Sequence, residues 1–451
     1  MKISKLLSII TAAALCLGCL AGCGGANYTA DNTEYIIGVS GPLTGDAAVY
    51  GTAVKNSAQM AVDEINEAGG LNGVSFKLVA TDDTNDATKV STNYSSMLEQ
   101  GMQVSLGTVT TKPGLEFTNL SVEDNVFFLT PSASGDDIPK NDNGFQMCFA
   151  DGNQGKVAAD YVNENYKGQT IGIFYKSDEP YSTGIYKQFK ENLDSSITTV
   201  ETLFTDANAT DFSTQISTLK DCKFIFMPIY YTPATVFMNQ AKDQLADDAI
   251  YYGCDGFDGI ESNFDVTSIP QEITMLSHFN SKATDGAAAD FVKKYTDKYG
   301  SDTLNQFGAS AYDCVYAIYN AMKEAVDGGK EIPVTISASD LCDILKAEFT
   351  GDILEFNVIT LDRDSFELIK GEHKIALGKK EFGILEILML NIGKCIDKEK
   401  LIEKIWGYDT NAEYNTIEVY ISFIRKKLQA VGSTTEIKTI RGLGYTLGDK
   451  K

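Results

Sequence analysis

The sequence predicts an α/β protein built on doubly wound parallel sheet, followed by a small α+β domain. Three observations predict it. From Tyr35 to about residue 350, short β-rich runs alternate with segments of helical apolar spacing, the pattern of βαβ units. The charge then changes character: residues 1–352 hold 22 Lys+Arg and 47 Asp+Glu, whereas residues 353–451 hold 16 and 15. Finally, 451 residues are too many for one core, so at least two domains are expected.

The chain starts with Lys2 and Lys5, a mostly apolar run from Leu6 to Leu17, and Leu20-Ala21-Gly22-Cys23. A basic start, a short apolar stretch and a small-residue cleavage site form a secretory signal. Its last four residues resemble the bacterial lipobox, which implies cleavage after residue 22, acylation of Cys23 and a polar tether over 23–34. No later run approaches the roughly eighteen consecutive apolar residues of a membrane span. Nine cysteines suggest a disulfide framework, but Cys16 and Cys19 fall within the signal and Cys23 is the acylation site. The other six lack metal-ligand spacing and read as buried free thiols.

Tyr35 to Ser40 reads as the first strand, ending at Gly41-Pro42-Leu43-Thr44-Gly45. Gly51 to Ala68 carries Val54, Ala58, Ala61, Val62 and Ile65 at helical spacing, and Gly69-Gly70 stops it. Strands follow at Ser75 to Thr81, near Val104, and at Val126 to Leu129, Thr170 to Tyr175, Phe224 to Pro228 and Ile250 to Gly253. Helices are expected at Pro113 to Glu123, Gly155 to Tyr166, Ser182 to Asn192, Thr235 to Gln244 and Ala309 to Val326. Ligands of such sheets bind beyond the carboxyl ends of the strands. No nucleophile elbow, paired metal ligands or other catalytic set is present there, so an enzyme, a cofactor and a metal are not expected.

Gly38-Val39-Ser40-Gly41-Pro42-Leu43-Thr44-Gly45 with Tyr50-Gly51, Ala61 to Asn66 with Gly69-Gly70, Asp82-Asp83, Gly107 to Thr111, Pro131 to Ser134, Tyr181 to Gly184 and Gly253 to Gly256 occur in a telling order. On these motifs residues 35–351 resemble the leucine/isoleucine/valine-binding protein family. The resemblance implies a type I periplasmic-binding fold with two lobes, three hinge crossovers and closure around a small amino acid delivered to an ABC importer permease. It also implies site residues. Thr111, Ser132 and Ser134 would hold an α-carboxylate, with Thr110 also in the ligand site, Asp255 would pair with the α-amino group, and Tyr50, Tyr181 and Tyr231 would form aromatic walls. Helix N-termini suit the anion, and tyrosines offer apolar area with a polar tip.

Beyond Gly351, Phe356 to Leu361 and Glu367 to Lys370 read as strands. Helices are expected at Lys380 to Asn391, at Lys398 to Trp406 behind Asp397 as cap, and at Asn415 to Ala430, and a hairpin at Ile437 to Leu447. Leu377 to Phe382, Leu401 to Gly407, Asn415 to Ile421, Arg425 to Leu428 and Thr439 to Tyr445 make residues 352–448 resemble the OmpR/PhoB-type winged-helix effector domain of response regulators, the output module of two-component phosphorelays. The last helix would bury Ile417, Ile421, Ile424 and Leu428. It would turn Asn415, Thr416, Tyr420, Ser422, Phe423, Arg425, Lys426 and Lys427 toward double-stranded DNA. Thr439 and Arg441 would belong to the wing, and the loop from Trp406 to Tyr414 matches the segment that contacts RNA polymerase in that family.

The two modules belong on opposite sides of a membrane. No receiver domain precedes the second one, and Phe349-Thr350-Gly351 runs into it without a Pro/Gly/Ser linker. Three readings follow: a lipid-anchored extracytoplasmic amino-acid receptor carrying a DNA-binding appendage, a cytoplasmic ligand-sensing transcriptional regulator, and a gene-level fusion of two unrelated proteins.

Overall fold

The computed structural model describes residues 32–350 and, from 353 to 449, all but 357–358, 363–364, 372, 390, 392–394, 407–413 and 441–442. Cys23, Arg441 and most of the expected polymerase-contacting loop lie outside the described residues. The chain divides into two compact units at Lys346 and Ala347.

The first unit opens with β1 (Tyr35–Gly41), α1 (Ala48–Glu67), β2 (Phe76–Asp82), α2 (Val90–Glu99), β3 (Val104–Ser105), α3 (Thr111–Glu123), β4 (Phe128–Thr130) and β5 (Gly144–Gln146). The chain then builds α4 (Asp151–Asn165), β6 (Thr170–Lys176), α5 (Pro180–Asn192), β7 (Thr198–Phe204), α6 (Ser213–Leu219), β8 (Phe224–Met227), α7 (Tyr231–Ala241), β9 (Ile250–Gly253) and β10 (Glu272–Met275). It ends on α8 (Gly286–Tyr299), α9 (Gln306–Asp327) and α10 (Ala338–Thr350).

The strands form two five-stranded parallel sheets, β2-β1-β3-β4-β5 and β7-β6-β8-β9-β10. Each order reverses once, between β1 and β3 and between β6 and β8. Such switch points leave a crevice at the carboxyl ends of the strands, and two lobes facing each other double it. Central strands are buried on both sides, as all seven residues of β1 are, because helices cover both faces of a parallel sheet. Of the three expected crossovers, two passages between the sheets lie in this unit, at 147–150 and 276–285.

Sequence periodicity finds the central strands and passes over β5, β7 and β10, all edge strands. A strand buried on one side only carries a weak apolar signal, as the half-exposed β7 does. Gly51 explains the spacing of the first motif. A Cβ there would meet the Pro42 carbonyl oxygen at 2.2 Å, so only glycine lets α1 start so close to the end of β1.

The second unit begins with an antiparallel sheet of β11 (Ile353–Phe356), β12 (Ile359–Asp362), β13 (Glu367–Lys370) and β14 (His373–Ala376). The single strand expected over Phe356 to Leu361 is therefore split between β11 and β12, which pair with Phe356 opposite Ile359. Next come α11 (Lys379–Met389), β15 (Ile396–Asp397), α12 (Lys398–Trp406) and α13 (Tyr414–Ala430), then β16 (Thr435–Ile440) and β17 (Gly444–Asp449), with β15-β17-β16 forming a small sheet. Ile417, Ile421, Ile424 and Leu428 of α13 meet Phe382, Leu385, Leu388 and Leu401 in one apolar core. That stripe at i, i+4, i+7 and i+11 is what holds α13 in place. Five of the six described cysteines are free and buried, while Cys395 is free but exposed, contrary to the expectation for all six.

Candidate functional site

In the first unit, Tyr50, Val109, Thr110, Thr111, Ser132, Ser134, Tyr181, Tyr230, Asp255, Gly256 and Phe307 line a narrow cavity between the two lobes, with a free volume of about 10 Å³ in this arrangement. Every wall stands at the carboxyl end of a strand or the first turn of a helix. Thr110 and Thr111 open α3, whose cap makes no side-chain hydrogen bond, so its first backbone N–H groups keep donor capacity. Ser132 and Ser134 follow β4, and the Thr111 and Ser134 hydroxyls lie 3.4 Å apart.

The opposite lobe supplies the acid. Asp255 is 1% exposed. Tyr181 Oη donates to its Oδ1 at 2.7 Å, and the same hydroxyl accepts from the Gly256 N–H at 2.8 Å. A Cβ at Gly256 would stand 2.7 Å from that hydroxyl, so glycine is required for the contact. Gln154 Oε1 accepts from the Asp255 N–H at 3.0 Å. Burial lifts the Asp255 carboxyl to about 6, against the pull of its Tyr181 bond. Asp151 at the start of α4 is raised well above the usual range, first by burial and then by the charge of Asp255.

Thr110 Oγ1, Asp151 Oδ1, Gln154 Nε2, Tyr230 Oη and Asp255 Oδ2 are shielded from water without a hydrogen-bond partner. Each unmade bond of this kind costs about 1–3 kcal/mol. Three of them, Thr110 Oγ1, Tyr230 Oη and Asp255 Oδ2, line the one cavity and mark the place where a polar guest would satisfy them.

Seven of the eight expected ligand residues thus line one cavity. Tyr231 does not. It packs edge-on against Tyr50 with ring centroids 5.0 Å apart, and its backbone N–H donates to Tyr50 Oη. Its neighbour Tyr230 is the wall, stacked on Tyr181 at 4.6 Å and 17°. The reason is the start of α7: rotation by one residue at a helix start swings a side chain about 100°. Phe307, 5.1 Å from Tyr50 in an edge-to-face pair, was missed because it sits in the first turn of α9, ahead of the apolar stripe. Tyr50 also donates to the Gly256 carbonyl oxygen, and Thr232 Oγ1 to that of Asp46 at 2.6 Å. Both bonds tie the lobes together in a closed arrangement.

In the second unit, Ser422, Phe423, Arg425 and Lys426 are exposed on α13, and Thr416 and Tyr420 are half-buried; Asn415 lies in its first turn. The basic run is partly engaged inside the unit. Arg425 donates to the Ile437 carbonyl oxygen from Nε at 2.9 Å and from Nη2 at 2.7 Å, and to Thr439 Oγ1 at 2.8 Å. Lys427 bonds the Ala376 carbonyl oxygen at 2.9 Å and Glu381 Oε2 at 2.7 Å. Glu381 also accepts from the Gly378 N–H at 2.6 Å, which caps α11 and accounts for the spacing of that motif. Arg425 therefore fastens the helix to the β16–β17 hairpin, while Lys426 faces solvent.

Two parallel-sheet lobes closing on a polar cavity define a two-lobed solute-binding protein, and a three-helix unit with a C-terminal hairpin is a winged helix. The sequence profile described as "Periplasmic binding protein" matches residues 34–338, and the chain belongs to that family. A second profile, "Transcriptional regulatory protein, C terminal", matches residues 371–447, so the chain carries a response-regulator DNA-binding domain behind the binding domain.

Among curated relatives, the Leu/Ile/Val-binding protein BraC3 of Rhizobium johnstonii is 29% identical over 328 residues, 68% of this chain and 86% of its own. The transcriptional regulatory protein DltR of Streptococcus agalactiae is 43% identical over 97 residues, 22% of this chain; the match spans only 43% of that regulator. Among solved structures, the branched-chain amino acid transporter substrate-binding protein LivJ of Streptococcus pneumoniae, in complex with isoleucine, aligns with a TM-score of 0.62 and 25% identity over 76% of this chain and 99% of its own. No described helix is long and apolar enough to cross a membrane.

Proposed function

We propose that the first unit captures a free α-amino acid and presents it to an ABC importer permease. One observation carries this: unpartnered Asp255 Oδ2 on one lobe and unpartnered Thr110 Oγ1 on the other line the same interlobe cavity, an acceptor for an ammonium opposite a donor for a carboxylate. The ammonium would pair with Asp255. The carboxylate would take the hydroxyls of Thr110, Thr111, Ser132 and Ser134 and the N–H groups opening α3. Tyr50, Tyr181, Tyr230 and Phe307 would close over the ligand. Isothermal titration of the full chain with the twenty amino acids tests the reading; absence of binding, or binding unaffected by Asp255→Ala, refutes it.

Cys23 would be acylated and hold this unit at the outer face of the cell membrane. Metabolic labelling with a fatty acid, lost in Cys23→Ser, is the expected result. We infer further that α13 and the hairpin would bind duplex DNA wherever the chain stays in the cytoplasm, as one exposed helix face with Lys426 suits a major groove. RNA polymerase contact would fall to the loop after α12. Sequencing across codons 345–360, with blotting of cell fractions for a single species of about 49 kDa, separates one working protein from a fusion of two genes.

A further inference from the structure

The stacked pair Tyr181 and Tyr230 also lines a second, wider chamber of about 510 Å³ next to the cavity. It lies at the carboxyl ends of β1, β2, β6, β7 and β8, the side of the cleft away from Ser132 and Ser134. A side chain leaving the α-carbon toward this chamber would meet polar groups. Glu179 lines it, is 3% exposed, and its Oε1 has no hydrogen-bond partner. Asn85 lines it as well, and its Oδ1 is likewise shielded and unpartnered. Lys112 of the first lobe and Lys176 of the second line it too, and Lys176 is held by Asp206 at 2.5 Å.

These groups exclude more than they admit. An aliphatic side chain would leave the buried Glu179 oxygen unbonded, which is the costly outcome for a desolvated carboxyl group. A carboxylate would face Glu179, Asp46 and Asp206, and an ammonium would gain Glu179 only by standing beside Lys112 and the Lys176–Asp206 pair. A carboxamide adds no charge and serves both kinds of group: its NH2 would donate to Glu179 Oε1 or Asn85 Oδ1, and its oxygen would accept from Lys112.

We propose that this chamber selects an α-amino acid with a carboxamide side chain, glutamine or asparagine, over the branched-chain amino acids. The proposal rests on the amino-acid reading of the adjoining cavity.

The test is calorimetric titration of the full chain with glutamine, asparagine, leucine, isoleucine, valine, lysine and glutamate. Glutamine or asparagine is expected to bind at least about tenfold tighter than leucine, since sites built for hydrogen bonding reject ligands that lack the group. Glu179→Ala should lower the glutamine-to-leucine ratio about tenfold. Lys112→Met, at an exposed position, should lower it about threefold and serves as the second variant should Glu179→Ala fail to fold. Leucine binding as tightly as glutamine, a preference for lysine or glutamate, or ratios unmoved by both variants overturn the proposal. Leucine preferred and lost with Asp255→Ala would sink this inference alone. No binding of any amino acid would sink the parent reading with it.

Discussion

On the proposed reading Asp255 connects stability with ligand binding, so one substitution should perturb both. Its carboxyl is raised from 3.8 to about 6 by burial, which means the folded closed form prefers it protonated. Below pH 4 both folded and unfolded forms hold the proton, and no penalty exists. Between about pH 4 and 6 the unfolded chain ionises first, and stability falls as pH rises. Above pH 6 the penalty is complete: two pKa units correspond to about 3 kcal/mol. Asp255→Asn keeps an oxygen for Tyr181 to donate to and removes the charge. The variant without ligand should therefore be more stable than the parent by up to about 3 kcal/mol at pH 7.5, and equal to it near pH 4. On the proposed reading the same change deletes the partner of the ligand ammonium. Losing one side of a buried charge pair costs about 2–5 kcal/mol, so the dissociation constant should rise at least about thirtyfold. Scanning calorimetry from pH 4 to 8 with titration calorimetry reads both effects. A variant no more stable than the parent at pH 7.5, a difference flat with pH, or an unchanged affinity would refute the reasoning.

Three further outcomes follow from the geometry. Tyr50→Phe removes the interlobe bond to the Gly256 carbonyl, worth about 1 kcal/mol, and should raise the radius of gyration of the ligand-free protein in X-ray scattering. Ile424, fully buried in the winged-helix core, should cost about 2–5 kcal/mol as Ile424→Ala; calorimetry should place that loss in the second unit and leave amino-acid binding unchanged. Because Arg425 holds the hairpin, Arg425→Ala should speed amide exchange over residues 437–439. Lys426→Ala should instead leave exchange unchanged and reduce the salt dependence of DNA binding by about one ion.

Much of this protein is legible without coordinates where residues do only one job. The central strands and the apolar stripe of α13 bury whole faces, so periodicity alone finds them. The first turns of the binding-domain helices are different. Thr111, Asp151, Tyr231 and Gln306 start helices two to four residues before the expected positions, because those turns carry polar or aromatic groups in place of an apolar stripe. The same cause hid Phe307 and exchanged Tyr231 for Tyr230: which of two adjacent tyrosines faces a cavity depends on the phase of the helix start.

By itself the sequence determined the two modules, their order and the set of polar and aromatic types that the proposed zwitterionic ligand would need. Local spacing and charge suffice for these, since they depend on neighbours along the chain. Only the tertiary structure decided which hydroxyls share a cavity with Asp255, that Arg425 and Lys427 are engaged within the winged helix, and that Glu179 is buried with an oxygen unbonded. Those outcomes depend on residues up to some two hundred positions apart, as in the Tyr50 contact with Gly256, and on burial, which turns an ordinary carboxylate into one that demands a partner.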